Sequence, residues 1–138
     1  MLKKAKDIMT TSVVTVGVDD NVDRAISLMV QHRISGLPVL DEDGRPVGIV
    51  SEFDLLELVC EGLRDDSKVR DFMSADLFGV CEEDSWVAVA DVFRAKRVRR
   101  LPVLRDGVLA GIISRHDLMR AIQDARRQLR RELARKTC

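Results

Sequence analysis

The chain states most of its pattern twice. Asp7-Ile8-Met9-Thr10 returns as Asp71-Phe72-Met73-Ser74, and Leu37-Pro38-Val39-Leu40 returns as Leu101-Pro102-Val103-Leu104, both 64 residues further on. Gly48-Ile49-Val50-Ser51-Glu52-Phe53-Asp54 returns as Gly111-Ile112-Ile113-Ser114-Arg115-His116-Asp117, 63 residues on. The missing residue falls where Asp41-Glu42-Asp43-Gly44 shortens to Arg105-Asp106-Gly107. Three blocks in one order, with one deletion placed in a turn, mark a tandem repeat. A repeat restricts the fold to two copies of one unit.

Each copy predicts the same elements. A short apolar run (residues 13–16 and 77–80) reads as a strand. Asp19-Asp20-Asn21 and Glu83-Asp84-Ser85 suit a helix N-terminus, where side-chain oxygens take up free N–H groups. Val22, Ala25, Ile26, Met29 and Val30 then keep a helical period, as do Trp86, Val89, Ala90 and Phe93. Two short strands follow around an Asp-Gly turn (37–40 with 47–50, and 101–104 with 109–113), and a second helix opens after Ser51 and after Ser114. Residues 62–68 read as a polar linker. One such unit would expose the apolar face of its sheet. The expected fold is therefore α/β (α+β), with two βαββα repeats packed sheet to sheet about a pseudo-two-fold axis, plus an extended C-terminal helix. The expected divisions are 1–62, 63–123 and 124–138.

Composition removes several function classes. No apolar run approaches the roughly 20 residues of a membrane helix. The N-terminus turns acidic before any apolar stretch, so no signal peptide is expected, and the expected location is cytoplasmic. Three widely spaced cysteines (Cys60, Cys81, Cys138) fit neither a disulfide framework nor a zinc site, and Cys60 and Cys81 read as packing residues in apolar surroundings. His32 and His116 lack partners at metal spacing, so no metal is expected. No nucleophile–base constellation is ordered along the chain, so no enzyme is expected. Tyr is absent and aromatics are 4%, which leaves no platform for stacking single-stranded nucleic acid. The zero net charge hides a split: residues 1–64 carry 7 Lys/Arg against 11 Asp/Glu, and residues 65–138 carry 16 against 12.

The ordered set, from Asp-Ile-Met through the Leu-Pro-Val strand to Gly-Ile-Val/Ile-Ser-x-x-Asp opening a helix, resembles the cystathionine-β-synthase (CBS) domain. Two in tandem resemble a Bateman module, over residues 4–123. The resemblance implies a regulatory module with no required cofactor. It implies an adenosyl ligand (AMP, ADP, ATP or S-adenosylmethionine) held in clefts between the repeats, and dimerisation with a second copy.

On that resemblance Asp54 and Asp117 hold ribose, and Ser51 and Ser114 contact phosphate. The same spacing is also a capping box, Ser capping the helix while the carboxylate returns to a backbone N–H, and the two roles are compatible for Ser. The adenine slot falls on Thr10, Val14, Thr15, Leu37 and Pro38 in copy one. In copy two it falls on Ser74, Phe78, Gly79, Leu101 and Pro102. Plain core packing is the competing role for Val14, Leu37 and Leu101, and for the two prolines it is restriction of an edge strand. Arg97, Arg99, Arg100, Arg115 and His116 offer cations for phosphate in copy two, with Arg33 in copy one. Glu52 stands where copy two has Arg115, so unequal sites are expected, the Asp117 motif being better equipped for a polyphosphate. The competing role for the arginines is to complement helix C-termini.

Leu118, Ile122, Ala125, Leu129 and Leu133 form one apolar stripe on a predicted long C-terminal helix with basic outer faces. Three functions compete: a nucleotide sensor acting on a protein partner, a nucleic-acid-associated protein using the basic tail, and a purely structural dimerisation unit.

Overall fold

The computed structural model describes residues 3–62 and 66–136. The middle of the linker expected at 62–68 and the last two residues of the tail lie outside them. The chain is mixed α/β, with two three-stranded sheets, and it divides into two compact units. One contains Ser12–Leu77 with Asp106–Leu109, built on copy one; the other contains the chain up to Thr11, Phe78–Arg105 and the chain from Ala110, built on copy two. The repeat boundary read from the sequence and the division into units therefore run differently through the chain.

In the copy-one unit, helix α2 (Val22–His32) opens at Asn21, whose side chain accepts the Asp23 N–H at 2.9 Å. Val22, Ala25 and Met29 are buried at helical spacing. The helix ends at Arg33, whose backbone is left-handed (φ 54°) and whose N–H reaches the Met29 carbonyl. Strands β2 (Gly36–Leu40) and β3 (Pro46–Ser51) pair antiparallel, and β1 (Val16–Gly17) lies parallel to β2. The core gathers Val16, Leu37, Val39, Val50, Leu55 and Val69 with the α2 face.

The copy-two unit repeats this plan. Helix α5 (Trp86–Lys96) is capped by Ser85 and ends at left-handed Arg97 (φ 51°). Strands β4 (Val80–Cys81), β5 (Arg100–Arg105) and β6 (Val108–Ser114) form its sheet, and α6 (Arg115–Lys136) is the expected long C-terminal helix in 22 residues. Its copy-one counterpart is broken into α3 (Glu52–Leu55) and α4 (Glu57–Glu61).

The first strand of each copy is shorter than expected, two residues instead of four, and the proline of Leu-Pro-Val explains why. Val16 pairs with Val39 in parallel, so the next step back places Thr15 opposite Pro38. Pro38 also pairs with Ile49, whose N–H and C=O are both turned away to Ser74. The missing N–H of Pro38 therefore faces β1, and the ladder stops for want of a donor. The expectation that Pro38 and Pro102 restrict an edge strand is corrected: both lie in the middle strand of their sheet, at the point where the first strand has not begun.

Each sheet gains a further edge from the segment that precedes the other copy. Ser74 and Ile49 exchange N–H···O bonds of 2.8 and 3.0 Å, and Thr10 and Ile112 do the same at 2.8 and 2.9 Å. These approaches need the glycine before each isoleucine. A Cβ on Gly48 would lie 2.5 Å from the Ser74 carbonyl oxygen, and one on Gly111 would lie 2.6 Å from Met9 Sδ. Charge ties the leading segment of the copy-two unit down as well. Short helix α1 (Ala5–Ile8) is flanked by Lys4 and carries Lys6, and both ammonium groups bond Glu83, at 2.6 and 2.7 Å. The two lysines pull the Glu83 carboxyl down to about 2, and Glu83 in turn raises Lys6.

Cys60 and Cys81 are exposed, which corrects the expectation that they pack in apolar surroundings. Cys81 alternates with buried Val80 along its strand, and Cys60 follows buried Leu58 by two helical positions, so each points away from the core.

Candidate functional site

Both Ser-x-x-Asp motifs form capping boxes at the strand-to-helix junction. Asp54 Oδ2 accepts the Ser51 N–H and the Ser51 hydroxyl, each at 2.9 Å, while the Asp54 N–H returns to Ser51 Oγ at 3.2 Å. Asp117 Oδ2 accepts the Ser114 N–H at 2.8 Å, and the Asp117 N–H bonds Ser114 Oγ at 3.1 Å. The geometry fixes each carboxylate by one oxygen and leaves the fate of the other to its neighbours.

Those neighbours differ. Three residues beyond Asp117 stands Arg120, whose Nη2 lies 2.5 Å from Asp117 Oδ1. Three residues beyond Asp54 stands Glu57, and Asp54 Oδ1 has no hydrogen-bond or ion-pair partner among the described residues. The sequence signal for this is the charge reversal three positions after the Asp, Glu57 against Arg120.

The remaining expected site residues are partly brought together. Thr10 and Ser74 are exposed, but each sits in the unit opposite to the one expected: Thr10 beside Ile112 on β6, and Ser74 beside Ile49 on β3. Their backbone groups complete a sheet edge, a non-local pairing that the local motif does not reveal. Val14 and Thr15 are half-buried ahead of β1. Phe78 and Gly79 are exposed ahead of β4, and the Lys96 ammonium lies 4.8 Å from the Phe78 ring centroid, a cation–π contact not foreseen. Leu37, Pro38, Leu101 and Pro102 are fully buried. Their side chains are core, so only backbone groups at these positions can meet a ligand.

The cations divide by role. Arg33 and Arg97 are the left-handed residues that end α2 and α5, a backbone duty that the expectation of phosphate contact did not include. Arg99 is exposed, its carbonyl accepting the Arg115 N–H at 3.4 Å as Ser35 accepts that of Glu52 at 2.9 Å. Arg100 is half-buried at the start of β5. Arg115 and His116 are exposed in the first turn of α6. Among the described residues no group of three His, Cys, Asp or Glu is placed to hold a metal ion, and no helix is long and apolar enough to cross a membrane.

The family model for the CBS domain matches residues 5–61 and again residues 69–124. CBSX2 of Arabidopsis thaliana, in a crystal structure in complex with AMP, is 31% identical and superposes with a TM-score of 0.80, covering 89% of this chain and 98% of that one. The CBS domain-containing protein YhcV of Bacillus subtilis is 30% identical over 118 residues, 85% of this chain and 84% of YhcV. An inosine-5′-monophosphate dehydrogenase of Methanocaldococcus jannaschii is 35% identical over 121 residues, 86% of this chain but only 23% of the dehydrogenase.

Proposed function

Since the chain belongs to the CBS-domain family and carries two such domains in tandem, we propose that it is a regulatory module that binds an adenosyl ligand and itself catalyses no reaction. One observation carries this reading: two Ser-x-x-Asp carboxylates are each anchored through Oδ2 at a helix start, and in copy one Oδ1 has no partner among the described residues. A ribose supplies two adjacent O–H donors, which such an oxygen accepts. In this reading Asp54 and Asp117 receive the ribose, while Ser51 and Ser114 lie toward the phosphate. Arg99, Arg100, Arg115 and His116 supply charge at the copy-two motif. The likeness to CBSX2, crystallised with AMP, supports the ligand class.

The ligand acts by favouring one arrangement of the module over another, which biases a partner that feels the difference. We assign a second copy of the chain as one partner, since Phe53 (81% exposed), Leu56 and Val59 leave apolar surface uncovered on α3 and α4. A regulated protein is the other partner.

Thermal unfolding in the presence of AMP, ADP, ATP and S-adenosylmethionine tests the reading. A ligand present at one hundred times its Kd adds about 2.7 kcal/mol to stability. A melting temperature unmoved by all four sinks it. The basic tail favours a second reading: Arg126, Arg127, Arg130, Arg131 and Arg135 are exposed on α6 beyond the family match. Nucleic-acid binding through them would weaken steeply with salt.

A further inference from the structure

We propose that Arg120 is a displaceable guard on Asp117 that sets the copy-two ribose site apart from the copy-one site; the inference rests on the nucleoside reading above. Both oxygens of Asp117 are engaged within the protein, Oδ2 by the Ser114 N–H and Oδ1 by the Arg120 guanidinium. Asp117 is only 8% exposed, whereas Arg120 is 62% exposed, so the pair joins a sheltered acid to a cation standing in water. The i,i+3 spacing on α6 puts both on one helical face, so no rearrangement of the backbone is needed to make or break the contact.

A ribose that reaches Asp117 must exchange its own hydroxyl donors for a charge-assisted bond already in place. A ribose that reaches Asp54 meets an oxygen with no partner among the described residues, and Glu57 at the matching position carries the same charge as Asp54 and cannot occupy it. The ligand therefore fills the copy-one site first. The copy-two site fills only when the ligand outcompetes Arg120. Because Arg120 swings out into solvent, displacing it disturbs no core contact. The guard lowers affinity without weakening the fold.

The test uses the full chain with Asp54→Asn to silence the copy-one carboxylate while keeping its cap, with and without Arg120→Gln. Adenosine and 2′,3′-dideoxyadenosine are titrated by calorimetry. Both are neutral, so removing a cation does not change their long-range attraction. Adenosine affinity is expected to rise about two- to five-fold in Arg120→Gln, the range spanned by ion pairs whose cation stands in water, with 2′,3′-dideoxyadenosine unchanged. Arg120→Lys, which keeps the charge but loses the planar fork, is expected to fall between the two. An unchanged or lower adenosine affinity, or an equal gain for the dideoxy compound, overturns the guard alone. If adenosine binds no variant and AMP does not bind the parent chain, the nucleoside reading falls with it. A single cooperative urea transition in each variant, with a midpoint only slightly below the parent's, excludes a folding defect as the cause.

Discussion

Gly111 and Thr10 meet so closely that a Cβ on Gly111 would stand 2.9 Å from the Thr10 carbonyl oxygen. Two backbones approach where the leading segment joins β6, and the missing side chain is the condition for it. Gly48 does the same for Ser74 at 2.5 Å. Alanine at either glycine is expected to cost about 1–3 kcal/mol, the usual penalty of overpacking. The larger loss is expected at Gly48, whose nearest obstacle is backbone; at Gly111 it is the flexible Met9 side chain. Urea unfolding of both variants checks the order, and an equal or reversed order refutes it.

Arg33 and Arg97 hold left-handed backbone that L-residues adopt at a cost of about 1–2 kcal/mol. Arg33→Gly and Arg97→Gly are expected to leave stability unchanged or raise it by up to about 1 kcal/mol. A loss in both would mean that the guanidinium groups, rather than the backbone conformation, are what these positions supply. Differential scanning calorimetry decides it.

The Lys4–Glu83–Lys6 cluster makes a prediction about pH. Glu83 titrates at about 2 in the folded chain, below its ordinary 4.5. Its contribution to stability is therefore complete above pH 4.5 and is lost as pH falls from there toward 2. Lys6, raised above 10.5, adds a contribution that is complete below pH 10.5 and fades as the solution becomes more alkaline than that. Glu83→Gln is expected to flatten the acid limb of a stability-against-pH curve measured by urea unfolding, and an unchanged slope between pH 2 and 4.5 counts against the cluster.

Capping and ligand binding separate at Ser51 and Ser114. Alanine at either is expected to cost about 1 kcal/mol through loss of the cap, without a ligand present. Asp54→Asn and Asp117→Asn keep a capping oxygen and are expected to lose nucleotide affinity with a smaller stability change. Paired measurements of melting temperature and AMP affinity on the four variants separate the roles. Parallel losses in all four would leave capping as the whole function.

Much of this was legible because it is local. Asn21 and Ser85 as caps, the burial of Val22, Ala25 and Met29, and the capping boxes all follow from spacings of two to four residues. The destination of Asp-Ile-Met-Thr was not legible, because nothing local says which strand a segment will join. Gly48 and Gly111 were the available clue, since glycine inside a strand marks a close approach. The first strand reads longer than it is because its apolar residues do not show where the Pro38 and Pro102 donors are missing. Within the site, the aspartates were found by their motif. Arg120 lies three residues past the Ser-x-x-Asp block, so in the sequence it reads only as one of the basic residues on the outer faces of the C-terminal helix.

The exchange of leading segments also sets an order of assembly. Ser74 reaches Ile49 across about 25 residues of chain, and Thr10 reaches Ile112 across about 100, two doublings that add about 1.2 kcal/mol of closure entropy. During synthesis the copy-one sheet can acquire its added edge as soon as Ser74 emerges. The copy-two sheet must wait for β6, with Thr10 held unpaired meanwhile. Thr10 thus finds its strand much later than Ser74 does, and native-state hydrogen exchange is expected to be faster at the Thr10 and Ile112 amides than at those of Ser74 and Ile49.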